Sequence, residues 1–243
     1  MGARGKEKLP GEFRKSQNWI GKSLKEAVFV PPVHQEVNSL MSDLEKLIHS
    51  EKMEPAIFIP HLIKIAMVHY QFETIHPFLD GNGRIGRLLI TLYLVDKEIL
   101  KKPILYLSDF FERNRRDYYD NLTEVRTHND IKKWVTFFLN GIIETSKKGV
   151  DTFDKLLKLR DKIELQELVK LGRKQEDARK LINQLYKSPL LTINDAAKFL
   201  KVHNSTANRL ITDLEKLGIL REYTGNKRNR IFIFDEYIGL FYS

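Results

Sequence analysis

Twelve residues, His76–Arg87 (HPFLDGNGRIGR), bring together a base, a carboxylate, a glycine-rich backbone and two guanidinium groups. The His76 side chain can take up a proton near neutral pH. Asp80 supplies one hard oxygen ligand of the kind that holds Mg²⁺ beside substrate phosphates. Gly81 and Gly83, on either side of Asn82, allow main-chain N–H groups to come close to a ligand. A helix starting near Gly83 would turn its unpaired N–H groups and positive dipole end on the same spot. Arg84 and Arg87 are spaced so that both forks can reach one anion. Such a set suits phosphate transfer, which needs positioning and charge neutralisation more than covalent help.

Each residue has a plainer role when taken alone. A histidine before proline commonly caps a helix, Asp-Gly-Asn-Gly commonly forms a turn, and arginines on a helix are commonly solvated. The flanks argue otherwise. Pro60–Ile75 is apolar nearly all round, the mark of a buried helix, and Pro60 opens it. The segment after Gly83 carries Leu88, Leu89, Leu92, Val95 and Ile99. A polar loop between two buried helices must find partners for its backbone, which joins the separate features into one site.

Other elements must hold this pair. The first 30 residues are broken by glycine and proline, and Glu26–Val33 is a short extended run ended by two prolines, an edge strand or hairpin arm. Val37, Leu40, Met41, Leu44, Leu47 and Ile48 share one face of an amphipathic helix. Helical patterns continue over Ser108–Arg126 and Asp130–Lys147, then over 151–187, where the charge density suggests solvated connecting helices. Leu191–Leu200 and Ser205–Leu217 read as two helices joined by a tight turn. Ile219–Tyr223 and Arg230–Phe234 read as a strand pair, so the order is that of a winged helix.

The chain has 243 residues, 42% of them hydrophobic, and a net charge of +9. Residues 151–243 hold 18 Lys+Arg against 13 Asp+Glu, so the positive excess is spread along the chain rather than gathered for nucleic acid. The absence of cysteine excludes disulfides and thiolate metal sites and suits a reducing cytoplasm. There is no apolar run of membrane-spanning length and no secretory signal, so the expected location is cytoplasmic and no membrane partner is expected.

The loop also resembles the signature of the Fic domain family, H-x-F-x-[D/E]-G-N-G-R-x-x-R, at every specified position. Pro10–Gly21 (PGEFRKSQNWIG), Val30-Pro31-Pro32, His69–Thr74 (HYQFET) and Asp117–Leu122 (DYYDNL) look like Fic segments in the same order. The resemblance implies a mainly α fold, a Fic helical domain with a β-hairpin flap over 1–150; the residue pattern adds a helical connector over 151–187 and a winged helix-turn-helix domain over 188–243. It also implies a protein adenylyltransferase that moves AMP from ATP to a Ser, Thr or Tyr hydroxyl. His76 would be the general base, and Asp80 would hold Mg²⁺. Gly81, Asn82 and Gly83 would form an anion hole, Arg84 would grip the β-phosphate and Arg87 the γ-phosphate. Tyr118, Tyr119 and Arg126 would line the nucleoside pocket, and Val28, Phe29, Val30 and Pro31 would form the flap that docks target backbone. In the related Doc kinases lysine replaces Gly83, so glycine here favours AMP transfer.

Two further expectations follow. Many Fic proteins carry an inhibitory [S/T]-x-x-x-E-[G/N] helix whose glutamate pairs with the second motif arginine; no position here satisfies that pattern. Arg87 is therefore expected to lack an internal glutamate partner, and Met1–Arg14 resembles an internal stretch of such proteins, as if the N-terminal part were truncated. In the tail, Asn204, Ser205, Asn208, Arg209 and Thr212 leave DNA binding open beside docking or homodimer formation, with Lys227, Arg228 and Arg230 able to touch phosphates. The alternatives to the enzyme are a nucleotide-sensing, DNA-binding regulator and a Fic enzyme with another nucleotide donor. Self-modification is also allowed.

Overall fold

The computed structural model describes residues 11–21, 23–50, 58–226 and 228–242. They fall into two compact units, Met1–Lys147 and Lys148–Ser243. Expectations that rest on Met1–Pro10 or Lys227 lie outside the described residues. Both units are mainly helical, and no helix among the described residues is long and apolar enough to cross a membrane.

The first unit begins with a short antiparallel ribbon. Strand β1 (Ile20–Gly21) pairs with β2 (Ala27–Phe29), Ile20 opposite Phe29 and Gly21 opposite Ala27. Of the extended run Glu26–Val33 only three residues are strand, consistent with the Pro31–Pro32 pair that follows, since proline cannot donate to a ladder. Helix α1 (Val37–Ile48) turns its Val37 and Leu44 face inward, as its spacing predicts. Helix α2 (His61–Ile75) starts directly behind Pro60 and buries nine of its residues, Lys64, His69 and Glu73 among them. It ends where His76 adopts a left-handed backbone, φ 50°. Helix α3 (Asn82–Asp96) starts behind Gly81, also left-handed at φ 85°.

The helical pattern over Ser108–Arg126 is two helices, α4 (Leu107–Arg113) and α5 (Arg115–His128), separated by Asn114. The Asn114 side chain donates back to the Phe110 carbonyl at 2.9 Å, a local bond that competes with helix continuation. Helix α6 (Ile131–Lys162) runs on past Lys147, and the boundary between the units falls within it. Its Trp134 is fully buried and donates to the Ala66 carbonyl of α2 at 2.8 Å.

In the second unit Leu159, Ile163, Leu168, Leu181, Ile182 and Leu185 are buried in one apolar core with the tail elements. The stretch expected as a solvated connector is thus core-forming on one face. A heavily charged helix can still bury a stripe of leucine and isoleucine. Helix α7 (Gln175–Leu185) leads to strand β3 (Leu190–Thr192) and helix α8 (Ile193–Leu200), which Thr192 and Asp195 cap reciprocally. Helix α9 (Asn204–Lys216) follows a tight turn in which Lys201 is left-handed. Strands β4 (Arg221–Glu222) and β5 (Ile231–Ile233) then complete an antiparallel sheet in the order β3-β5-β4. A one-turn helix, α10 (Asp235–Gly239), ends the fold.

Candidate phosphate-binding site

Where α2 stops and α3 starts, the loop is held from three directions. Arg14, only 2% exposed, donates from Nε to the His76 carbonyl at 3.0 Å, and its main-chain N–H donates to the Pro77 carbonyl at 2.8 Å. The same guanidinium donates to Ser16, Pro32 and Ile75 carbonyls, so one side chain ties the N-terminal segment to the loop. Asn82 closes the loop on itself: its Oδ1 accepts from the Phe78 N–H at 2.9 Å and its Nδ2 donates to the Phe78 carbonyl at 2.7 Å. Phe78 leans into the core against Phe13 and Phe72. The Asn82 side chain therefore shapes the loop.

His69 locks α2 against α3 and α5. A carbonyl can only accept, so Nδ1–H donates to Gly86 O at 3.1 Å and Nε2 accepts from the Tyr118 hydroxyl at 3.0 Å. Burial lowers its pKa to about 4, which keeps the ring neutral in this role. The approach of α2 to α3 is close at Gly86. A Cβ there would lie 2.5 Å from Glu73 Oε1 and 3.2 Å from both His69 and Phe72.

A cavity of about 670 Å³ opens onto the loop, and His76, Asp80, Gly81, Asn82, Gly83, Arg84 and Arg87 all line it. The Arg84 guanidinium lies over Gly81 and that of Arg87 over Gly83, each 3.3 Å from where a Cβ would stand. Larger residues at these glycines would push the arginines aside. Burial, then the charges of Arg14 and Arg126, hold the His76 pKa below its usual value against a backbone hydrogen bond that raises it. Its imidazole is therefore neutral at neutral pH and able to accept a proton. Asp80 is exposed, and its Oδ1 accepts the Gly81 N–H at 2.7 Å. No cluster of three metal-ligating residues occurs among the described residues. The donors fit a Mg²⁺ that takes one protein carboxylate and its other oxygens from phosphates and water, rather than a protein cage.

Of the aromatic wall, Tyr118 and Tyr119 line the cavity, Tyr118 buried and Tyr119 half exposed. Arg126 does not line it. Its guanidinium stacks on Phe29 at 3.6 Å, which joins α5 to β2. Val28 and Val30 are exposed, whereas Pro31 is buried and its carbonyl accepts from Gln17 at 2.9 Å. Sequence reasoning missed Arg14, His69, Gly86 and Glu73. Arg14, His69 and Glu73 lie in segments noticed only for their resemblance, and Gly86 lies within the loop motif but at a position the signature leaves unspecified. A polar residue in an otherwise apolar helix was the available signal. Glu73 bears most directly on the expectation that Arg87 lacks an internal glutamate: it lines the cavity beside Arg87.

Residues 2–94 match the sequence model of the Fic/DOC family. Among curated relatives, the chain is 33% identical over 144 residues to "Protein adenylyltransferase Fic" of Aedes aegypti and 34% identical over 144 residues to its namesake in Culex quinquefasciatus. Each match takes in 59% of this chain and 25% of the relative, so the chain spans about a quarter of the length of the curated relatives it matches. A solved structure of a Fic family protein from Desulfovibrio desulfuricans G20 aligns over 92% of this chain and 62% of that one, with a TM-score of 0.53 and 22% identity, a likeness of fold.

Proposed function

We propose that this chain, which carries a domain of the Fic/DOC family, is a protein adenylyltransferase that moves AMP from ATP onto a Ser, Thr or Tyr hydroxyl of a protein. The observation that carries this reading is a cavity lined by His76 and by two glycines that two arginines overlie, Arg84 at Gly81 and Arg87 at Gly83. In the reaction His76 accepts the proton of the target hydroxyl, and the freed oxygen attacks the α-phosphorus. The bond from that phosphorus to the bridging oxygen of the β-phosphate breaks, and pyrophosphate leaves. Arg84 and Arg87 bind the β- and γ-phosphates, and Gly83 N–H at the head of α3 faces the developing charge. Tyr118 and Tyr119 flank the nucleoside. When bound, Mg²⁺ would be held by Asp80 and would neutralise phosphate charge. The exposed Val28 of β2, with Val30 just beyond it, offers an extended edge for target backbone.

A general base is worth about 10²–10⁴-fold in rate. His76→Ala should therefore abolish AMP transfer from α-³²P-ATP, to a target or to the chain itself, while ATP affinity stays close to wild type. Equal labelling by wild type and variant would remove the enzyme reading and favour a nucleotide sensor, which needs the phosphate cradle and no base.

A further inference from the structure

Glu73 lies in the His69–Thr74 segment and was given no role of its own, yet it stands in the wall of the cavity one turn before His76. It is 7% exposed, and its Oε1 is buried with no hydrogen-bond partner. That oxygen lies 3.9 Å from where a Cβ on Gly83 would stand, and Arg87 Nη1 lies 3.3 Å from the same point. Carboxyl and guanidinium thus flank one spot beneath the head of α3 without Oε1 accepting from Arg87. A buried carboxylate oxygen left without a donor is costly, and the neutral acid is the form that relieves the cost.

The groups facing it are few. On its own helix His69 is neutral, and in the loop His76 is held below its usual pKa. From α5, Tyr118 is raised well above its usual value and stays neutral. Arg87 of α3 and Arg126 of α5 favour the anion, but burial outweighs both and raises the carboxyl to about 7.

We propose that Glu73 is a nucleotide-contacting residue of this pocket that holds a proton when ATP is bound, so that its acid O–H donates to a phosphate oxygen. This rests on the reading that the cavity takes ATP. The anion of Glu73 would repel the triphosphate and compete with it for Arg87. Above pH 7 each binding event therefore takes one proton from solvent onto the carboxyl. Affinity is fully developed below about pH 7 and falls up to about tenfold per pH unit above it.

The test is the dissociation constant of α,β-methylene-ATP from pH 6 to 8.5 for wild type and Glu73→Gln. The nucleotide's own phosphate ionisation is common to both and drops out of their ratio. The wild-type constant should rise relative to the variant's by about tenfold between pH 7.5 and 8.5. Calorimetry of the wild type in two buffers of different ionisation enthalpy should show proton uptake approaching one per nucleotide at pH 8, which decides the matter even if the variant does not fold. Binding with parallel pH profiles, or without proton uptake, overturns the role of Glu73 and leaves the ATP reading standing. No binding at any pH overturns both.

Discussion

Among the described residues, the buried polar and charged side chains are Arg14, Lys64, His69, Glu73, Asn82 and Asn121, all in the first unit, whereas the buried core of the second unit is apolar throughout. Four of the six act on the His76–Arg87 loop: Arg14 and Asn82 hold its backbone, His69 fastens α2 to α3 behind it, and Glu73 reaches its floor. The second unit keeps its polar chemistry at edges. Thr192 and Asp195 cap α8, Lys174 pairs with Asp213 at 2.6 Å, and Asn208 accepts from Arg230 at 3.0 Å beside an open cleft of about 520 Å³. The contrast separates two uses of a core. In the second unit the helices and the three-stranded sheet share a core in which every buried side chain is apolar. A precise backbone loop needs polar groups inside, and each must be partnered or held neutral.

The largest expected break in this contrast is through pH. The His69 pKa is depressed from 6.5 to about 4, so stability from the neutral ring is present above 6.5 and lost as pH falls towards 4. The Glu73 pKa is raised from 4.5 to about 7, so stability from the neutral acid is present below 4.5 and lost as pH rises towards 7. The His69 and Glu73 slopes oppose each other between pH 4.5 and 6.5, while His76, also depressed, adds to the histidine side. Glu73→Gln leaves the histidine slope alone and should make that unit acid-sensitive by up to about 3 kcal/mol, while the second unit stays unchanged. Residue-resolved hydrogen exchange at pH 6.5 and 4.5 measures both units at once. Equal sensitivity in the two would refute the distinction.

Gly86→Ala tests the close approach of α2 and α3. Overpacking costs about 1–3 kcal/mol, offset by about 1 kcal/mol of helix propensity, for a net loss of up to about 2 kcal/mol read as a lower Tm. Adding Glu73→Ala should restore part of it, because the nearest obstacle is then gone. The smallest effect belongs to the second unit. Asn208→Ala removes one partner of a partly exposed Arg230 and should cost about 0.5–1 kcal/mol in thermal unfolding without altering AMP transfer.

Much of the site was legible because it is local. His76, Asp80, the glycines, Arg84 and Arg87 lie within twelve residues, and the apolar helices on either side show that their loop is buried at both ends. The helices were legible for the same reason, since the 3.6-residue period is written along each segment. The break at Asn114 and the continuation of α6 through Lys162 were not, because a periodic pattern does not mark a side chain that bonds its own backbone, nor a helix that crosses from one unit into the next. Charge masked the core face of residues 159–185 in the same way.

The amino-acid sequence by itself determined the chemical inventory of the loop, the helices that flank it, and the likeness to one family, because each depends on neighbours along the chain. Only the tertiary structure decided which distant residues act on that loop. Arg14 reaches the His76 carbonyl across 62 positions, and His69 meets Tyr118 across 49. It also decided that the Asn82 side chain bonds the Phe78 backbone, that Arg126 stacks on Phe29, and that a glutamate lies beside Arg87. The physical reason is common to all of these. A side chain's protonation and its partners are set by what surrounds it after folding, and burial turns an ordinary glutamate into an acid that titrates near neutrality.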